Sequence, residues 1–438
     1  MQIEQIKHII KNRKMNRFQI LAVFVCILIS MIDGYDVMTI AFVVPSLAEL
    51  WLLSPEKIGI LFSAGLIGMV SGAIIITPFA DKYGRRAIII VCLLLLSTST
   101  IASGFCLNHT QLIVARFISG LAIGAIMPSI NTIIAEFSSD QSRSLAIGIM
   151  AASYTTGSVI GGILCITLIS HLGWQYVFFL GGAFSCFLLP LVFWLLPESL
   201  EFILLNRRYQ SLAKLNYLLT KLSLPTFATF PQLTYQSSKE QKQVNLIMTA
   251  NFFKTTLLMT VSVSTMMISF YFLINWTPKI LVYLGYTKEM SVTASLVMNI
   301  FGIIGGLSIG WLSKMYSVQK ITSLMAFIAF LLVMGFGLST DLLPIVFFLI
   351  AMIGYTTFGA MAGVYAIIPA IYPSTIRATG TGFVFGFSRL IGTLGPYLAG
   401  LLIAAHLSES YCIFIMSLPL LASSICMIFV KPFLEQLD

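Results

Sequence analysis

The hydrophobic positions of this chain fall into long blocks, in which about 20 or more mostly apolar residues follow one another before a short polar gap. A helix of about 20 apolar residues crosses the hydrocarbon core of a bilayer, so each block predicts a membrane span. A β-barrel would need short strands of alternating polarity, which the sequence does not show. The pattern predicts twelve spanning helices, at approximately 18–47, 57–80, 87–107, 110–137, 145–171, 175–196, 255–284, 289–312, 321–339, 342–372, 380–405 and 409–430.

One long polar connection separates these predicted spans into two groups of six. An internal repeat supports the division, because Arg143 and Gly148 recur at one constant offset as Arg377 and Gly382. The predicted organisation is an N-terminal tail, a six-helix bundle, a central loop, a second six-helix bundle and a C-terminal tail, with bounds 1–17, 18–196, 197–254, 255–430 and 431–438.

The composition agrees with this pattern. With 58% hydrophobic and only 9% charged residues, the chain is too apolar to cover a soluble domain with polar surface. We therefore expect an all-α integral membrane protein. The seven cysteines lie singly in apolar runs without paired spacing, so neither a disulfide nor a metal site is expected.

The net charge of +9 is distributed unevenly. With twelve spans, nearly all basic residues fall in the tails and in loops on one side, and the opposite side carries only Lys57, Lys279 and Lys288. Because basic loops stay preferentially in the cytoplasm, both termini are predicted to be cytoplasmic. This placement accounts for the positive charge, and no nucleic-acid partner is expected.

Four charged residues lie deep in the predicted spans, away from their ends: Asp33, Asp36, Arg116 and Arg389. A charge at the centre of a spanning helix costs about 2.5 to 3.5 kcal/mol on insertion scales, so each should face protein or water. The spacing of Asp33 and Asp36 places both carboxylates on one helix face, and Gly34 between them allows a neighbouring helix to approach closely.

These charges have two interpretations. They could be ion pairs that fix helix packing. Alternatively, burial and a like-charged neighbour favour the protonated form of a carboxyl group, which could then take a proton from one side of the membrane and release it to the other. Two adjacent acids favour the second interpretation. The permanently charged Arg116 and Arg389 suit a carboxylate, either that of Asp36 or that of an anionic substrate, and the sequence leaves this choice open.

Three motifs of the first half resemble the major facilitator superfamily of transporters. They are DKYGRR (81–86) between spans two and three, RFISGLAIG (116–124) in span four and LPES (196–199) at the end of span six. The resemblance implies two six-helix pseudo-repeat bundles that open a central cavity to each side in turn.

Five further motifs resemble one family within that group, the aromatic acid:proton symporters of the 4-hydroxybenzoate and benzoate type. They are DGYD (33–36), GAIMPS (124–129), YFLINWTP (271–278), YPSTIRATG (372–380) and GFSRLIG (386–392). The resemblance implies that Asp33 and Asp36 serve transport and proton coupling, and that Arg389 serves substrate binding or coupling. Arg116 is the other candidate for that role.

Aromatic and amide groups in the second half are candidate substrate residues. Tyr271, Asn275, Trp276 and Tyr365 lie in predicted spans, where ring stacking and a hydrogen bond would suit a flat hydroxylated ring. Most aromatic residues of a chain this rich in them line lipid or core, which is the alternative for each.

The loop after span two contains the candidate gating residues Asp81, Gly84, Arg85 and Arg86. Positive-inside anchoring and a tight turn at Gly84 explain the basic residues, and the resemblance adds a latch in which Asp81 meets neighbouring helix ends. Glu136, near the inner end of span four, is expected in an interfacial ion pair.

The sequence as a whole predicts a proton-coupled symporter that imports aromatic carboxylates by alternating access. We expect it to be a monomer in the bacterial inner membrane, without a cofactor or enzymatic activity, whose partners are a small organic acid, protons and the lipid bilayer. The open alternatives are a carrier of another organic acid, a nicotinate-like compound or a sugar, an exporter, and a non-transporting membrane sensor.

Overall fold

The computed structural model describes residue 13 and residues 15–205, 212–228, 250–338, 343–372 and 376–430, and these are predominantly helical. The described helices, numbered in chain order, are α1 (Arg17–Leu50), α2 (Pro55–Ile75), α3 (Thr77–Tyr83), α4 (Arg85–Gly104), α5 (His109–Phe137), α6 (Asp140–His171), α7 (Gln175–Leu195), α8 (Leu200–Leu205), α9 (Leu212–Lys221), α10 (Ala250–Tyr283), α11 (Lys288–Leu312), α12 (Val318–Leu338), α13 (Leu343–Ala370), α14 (Arg377–Gly392), α15 (Leu394–Ala404) and α16 (Glu409–Ile428).

Twelve helical stretches of the described chain are long and apolar enough to cross a membrane, so the predicted span count and all-α class are confirmed. Two spans are interrupted. The second consists of α2 and α3, and the eleventh of α14 and α15. Pro78 and Pro396 lie just after these breaks, and each lacks the N–H that would bond to the carbonyl four residues earlier.

The chain divides into two compact units. Unit 1 comprises Met1–Val37, Ala64–Gly161 and His171–Ser237. Within it, α2 and α5 approach closely through glycines: a Cβ atom at Gly68, Gly72, Gly120 or Gly124 would overlap the backbone of the facing helix. Helix association in lipid depends on such close packing rather than on the hydrophobic effect, which explains the small residues.

Unit 2 comprises Met38–Ser63, Gly162–Ser170 and Ser238–Asp438. Its helices α11 and α13 use the same means of packing, because a Cβ at Gly305 would overlap the Tyr355 carbonyl and one at Gly354 the Met298 carbonyl. The two units differ in their bounds from the two predicted six-helix halves, and those halves stay a prediction.

The central connection contains structure that the sequence analysis did not predict. Helix α9 buries one apolar face through Leu215, Leu218 and Leu219. The chain before α1 holds the end of α9, since Arg13 Nη1 donates to Ser223 O at 3.0 Å and Asn16 Nδ2 donates to Lys221 O at 2.9 Å. The described residues 212–228 of this connection therefore pack within unit 1 instead of forming a plain polar loop.

We expect Gly124→Ala to destabilise the protein by about 1–3 kcal/mol, because the added Cβ would meet the Met69 backbone and force α2 and α5 apart. Gly148→Ala is the matched control, since a Cβ there meets nothing within 4 Å. Thermal unfolding of the purified variants in detergent measures the difference. Equal melting temperatures for the two variants would contradict this packing.

Candidate functional site

The arginine of α5 and the second aspartate of α1 form a buried ion pair. The Arg116 guanidinium binds both carboxylate oxygens of Asp36, with Nη1 to Oδ1 at 3.0 Å and Nη2 to Oδ2 at 2.6 Å. Nη2 also donates to the Asp36 main-chain oxygen at 3.0 Å. Each side chain is only 3% exposed. A two-pronged contact of this kind is among the strongest hydrogen-bonded ion pairs in proteins, because the planar fork matches the carboxylate.

Two neighbours complete the surroundings of this pair. Thr100 on α4 donates its hydroxyl to Asp36 Oδ1 at 2.9 Å. The Phe178 ring on α7 lies 5.9 Å from Arg116 Cζ, within the range of a cation–π contact. Among the described residues, the buried Arg116 Nε has no hydrogen-bond acceptor. The charges of Arg116 and Asp36 are therefore paired with each other, and the Arg116 Nε–H remains as a buried donor that the aspartate does not use.

The first aspartate lies one helical turn before this pair. Asp33 and Asp36 are each 2% exposed, so both predicted carboxylates are buried. Unit 1 thus concentrates two buried acids and one buried arginine among apolar helices.

Close contact with α6 positions α1 at this point. A Cβ at Gly34 would overlap the Tyr154 carbonyl, and one at Gly157 would overlap the Met31 carbonyl. Ser158 Oγ donates to Gly34 O at 3.1 Å, which ties the two backbones together. Gly34 therefore allows the close approach expected from the sequence, and the approaching helix is α6.

Tyr35, between the two acids, fixes the rotation of α1. Its hydroxyl donates to Val177 O at 2.7 Å, and its ring lies against Gly161 and Gly181. These three contacts involve α6 and α7, so Tyr35 holds the carboxylate-bearing stretch on two sides.

The second-half candidates lie in unit 2. Tyr271, Asn275 and Trp276 are on α10, where Asn275 Nδ2 donates to Tyr271 O at 2.8 Å. Trp276 is fully buried, its indole N–H donates to Pro396 O at 2.9 Å, and its ring meets Phe62 edge to face at 5.5 Å. These contacts favour a packing role for Trp276.

Arg389 lies in the last turn of α14 and is half-buried. One turn further, Gly392 faces the Tyr271 ring, so the end of α14 packs against the second half of α10. Tyr365 on α13 is 46% exposed and stacks on Phe385 with ring centroids 4.7 Å apart. Unit 2 therefore places the helix end that carries Arg389 next to Tyr271, and it leaves the Tyr365 ring partly exposed.

The predicted gating residues take part in a second polar cluster of unit 1. Arg85 forms an ion pair with Glu136 and donates to Ser199 Oγ at 2.9 Å. Asp81 lies 3.8 Å from Arg85, and its side chain is 80% exposed. The interfacial ion pair expected at Glu136 is confirmed, and its partner is the arginine of the loop motif.

A second acid lies beside this cluster. Glu198 Oε1 accepts hydrogen bonds from the Arg86 N–H at 3.2 Å and the Ser199 N–H at 2.9 Å. Burial raises the pKa of Glu198 above its ordinary value, although these N–H groups and the Arg86 charge oppose the shift. The positive φ of Gly84, 104°, lets the chain turn against this carboxylate, where a Cβ would collide with it.

Three parts of the first site were not predicted from the sequence: Thr100, Phe178 and the anchoring of Tyr35. The signal for Thr100 was a run of hydroxyl residues, STST at 97–100, inside an otherwise apolar span. Nothing in the sequence distinguishes Phe178 from the other aromatic residues of the chain.

Comparison with known proteins agrees with this architecture. The sequence profile of the Major Facilitator Superfamily matches residues 26–364. The chain is 29% identical over 428 residues to a gallate transporter of Pseudomonas putida, covering 97% of this chain and 94% of the relative. It is 28% identical over 437 residues to the 4-hydroxybenzoate transporter PcaK of Acinetobacter baylyi, covering 98% and 94%.

Solved structures show the same fold. A bacterial homologue of the human lysosomal transporter Spinster, inward-facing and occupied, superposes with a TM-score of 0.75 at 16% identity, covering 97% of this chain and 99% of that one. The xylose transporter XylE from E. coli, in a partially occluded inward-open conformation, gives 0.74 at 13% identity, covering 95% and 99%. With its twelve spanning helices and a matching profile over most of its length, the chain belongs to the Major Facilitator Superfamily, as a multi-pass membrane transporter and not an enzyme.

Proposed function

We propose that this protein is a proton-coupled symporter that imports aromatic carboxylates across the bacterial inner membrane, with both termini in the cytoplasm. The observation that carries the proposal is the buried pair of Asp36 and Arg116, which joins a group that can take a proton to a group that cannot. The gallate and 4-hydroxybenzoate transporters among its relatives support the choice of cargo.

The chemistry follows from charge balance. While Asp36 is ionised, its carboxylate neutralises the Arg116 guanidinium, and a substrate carboxylate is not needed as a counter-ion. When Asp36 takes a proton, the arginine is left as a buried cation without its counter-ion, a situation that costs about 3–5 kcal/mol. A substrate carboxylate relieves this cost by taking the place of the aspartate. Proton and anion therefore bind together and leave together.

Groups around the Asp36–Arg116 pair assist the replacement of the aspartate by the substrate carboxylate. Thr100 keeps a hydrogen bond to Asp36 when the carboxyl is protonated, which holds the acid close to the arginine. Arg116 Nε offers a buried donor that the aspartate does not use. Asp33, one turn away, is the second proton-carrying group, and it takes the proton before or after Asp36.

Binding of the ring is proposed for unit 2. Tyr271, Asn275 and the accessible ring of Tyr365 supply stacking and hydrogen bonding, and Arg389 supplies a second positive charge for an anionic substrate. Asp81, Gly84, Arg85 and Arg86 act at the cytoplasmic end as gating residues. The transporter works as a monomer whose two six-helix halves, 18–196 and 255–430, rock about the site.

Pyridine carboxylates are a second cargo class. The niacin transporter NiaP of Acinetobacter baylyi is 26% identical over 400 residues, covering 91% of this chain and 90% of the relative. Niacin also combines a flat ring with a carboxylate, so the same arginine would serve it.

Uptake by proteoliposomes tests the proposal. With an acidic exterior, we expect accumulation of at least one of labelled 4-hydroxybenzoate, benzoate, gallate and nicotinate, and collapse of that accumulation by a protonophore. If none of these acids accumulates, the aromatic assignment is wrong.

In the same vesicles, we expect Asp36→Asn to lose proton-driven accumulation but keep exchange of labelled for unlabelled substrate, because the amide imitates the protonated acid. Glu56→Gln is the matched control, since it removes an exposed carboxylate at the start of α2 and should transport normally. Normal accumulation by Asp36→Asn would remove this residue from proton coupling.

A double-mutant cycle tests the ion pair itself. Arg116→Gln leaves a buried carboxylate uncompensated and should destabilise the protein by about 3–5 kcal/mol, whereas Asp36→Asn with Arg116→Gln removes both charges and should be markedly more stable than Arg116→Gln alone. Thermal unfolding of the four proteins in detergent supplies the cycle. Additive effects would mean that the two side chains do not interact.

A further inference from the structure

A half-open groove lies on unit 1 where α4, α7 and the connection containing α9 meet. Its volume is about 810 Å³. We name it the α7–α9 groove, and its walls include Phe193, Trp194, Tyr217, Arg86 and Lys214. The walls are largely apolar, and they carry the two cations Arg86 and Lys214 together with several aromatic rings. The groove is distinct from the Asp36 and Arg116 site, which contributes no residue to it.

The basic side of the groove is formed by Arg86 and Lys214. The Arg86 guanidinium donates to Phe193 O, but its buried Nε has no acceptor among the described residues. The one acid on the wall, Glu198, already accepts from the main-chain N–H groups of Arg86 and Ser199. The lining therefore has two cations, Arg86 and Lys214, against one acid, Glu198, and its net charge is positive when all three are ionised.

The exposed part of the groove is suited to lipid. Phe193 and Trp194, in the last turns of the spanning helix α7, are 59% and 75% exposed. Tryptophan is enriched at the level of the headgroups, because its ring is apolar and its N–H is polar. Helix α9, with its buried leucine face and the exposed Tyr217, forms the opposite wall.

We propose that the α7–α9 groove binds one anionic phospholipid. Its phosphate lies between Arg86 and Lys214, and an acyl chain lies along Phe193 and Trp194. A soluble phosphate would use the two cations but leave the aromatic wall exposed to water, whereas a phospholipid satisfies both parts of the groove. Because the bound headgroup contacts both α4 and α9, the lipid fastens the central connection to the bundle.

Native mass spectrometry of the purified full-length protein tests this binding, with dioleoyl phosphatidylglycerol and dioleoyl phosphatidylcholine as probes. We expect a defined first site that prefers phosphatidylglycerol, and a loss of about fivefold in its affinity in Lys214→Ala, as removal of one cation near a lipid surface implies. Lys221→Ala is the matched control, because it removes the same charge from α9 at a residue that does not line the groove.

Each other outcome decides against the proposal. Equal binding of the two lipids would show that the headgroup charge is not recognised. An equal loss in Lys221→Ala would reduce the effect to diffuse attraction by the basic surface. Glycerol phosphate that competes as well as phosphatidylglycerol would show that the aromatic wall takes no part, and that the groove binds a soluble anion.

Discussion

An arginine that cannot lose its charge must have an anion beside it wherever it is buried, and this constraint governs the centre of unit 1. The Arg116 side chain is 3% exposed, and its guanidinium donates hydrogen bonds to both carboxylate oxygens of Asp36. Since breaking such a pair costs several kcal/mol, the surrounding helices must keep the acid in place whenever no other anion is present. The contact of α1 with α6 through Gly34 and the anchoring of Tyr35 provide that rigidity.

The same constraint explains why the proton and the substrate are linked in the proposed mechanism. The arginine accepts one carboxylate at a time in its fork, and protonation of Asp36 decides whether that carboxylate belongs to the protein or to the cargo. Coupling then needs no long communication pathway, because both ligands act on one guanidinium. The polar cluster of Arg85, Glu136 and Ser199 is separate, and it ties the start of α4 and the end of α5 to the connection that follows α7.

Much of this molecule is predictable from sequence, for physical reasons that differ from part to part. The spans follow from the length of the apolar runs, and the packing glycines from the need for close contact in lipid. The pairing of Asp36 with Arg116 was one of two options, because a sequence shows that a buried charge needs a partner but not which one. Thr100 escaped notice because hydroxyl groups in spans usually bond to their own helix, as Thr98 and Ser99 do. Helix α9 was missed because its amphipathic stretch is short.

The most direct test of the account is a proton count on substrate binding. Calorimetric titration of the purified protein with a transported aromatic acid, in two buffers of different ionisation enthalpy, measures how many protons are taken up with each bound anion. We expect about one proton in the wild type and essentially none in Asp36→Asn, since a single proton passes between Asp33 and Asp36 and frees Arg116 for the substrate only when it is on Asp36. An equal proton count in the two proteins, or no uptake in the wild type, would contradict it.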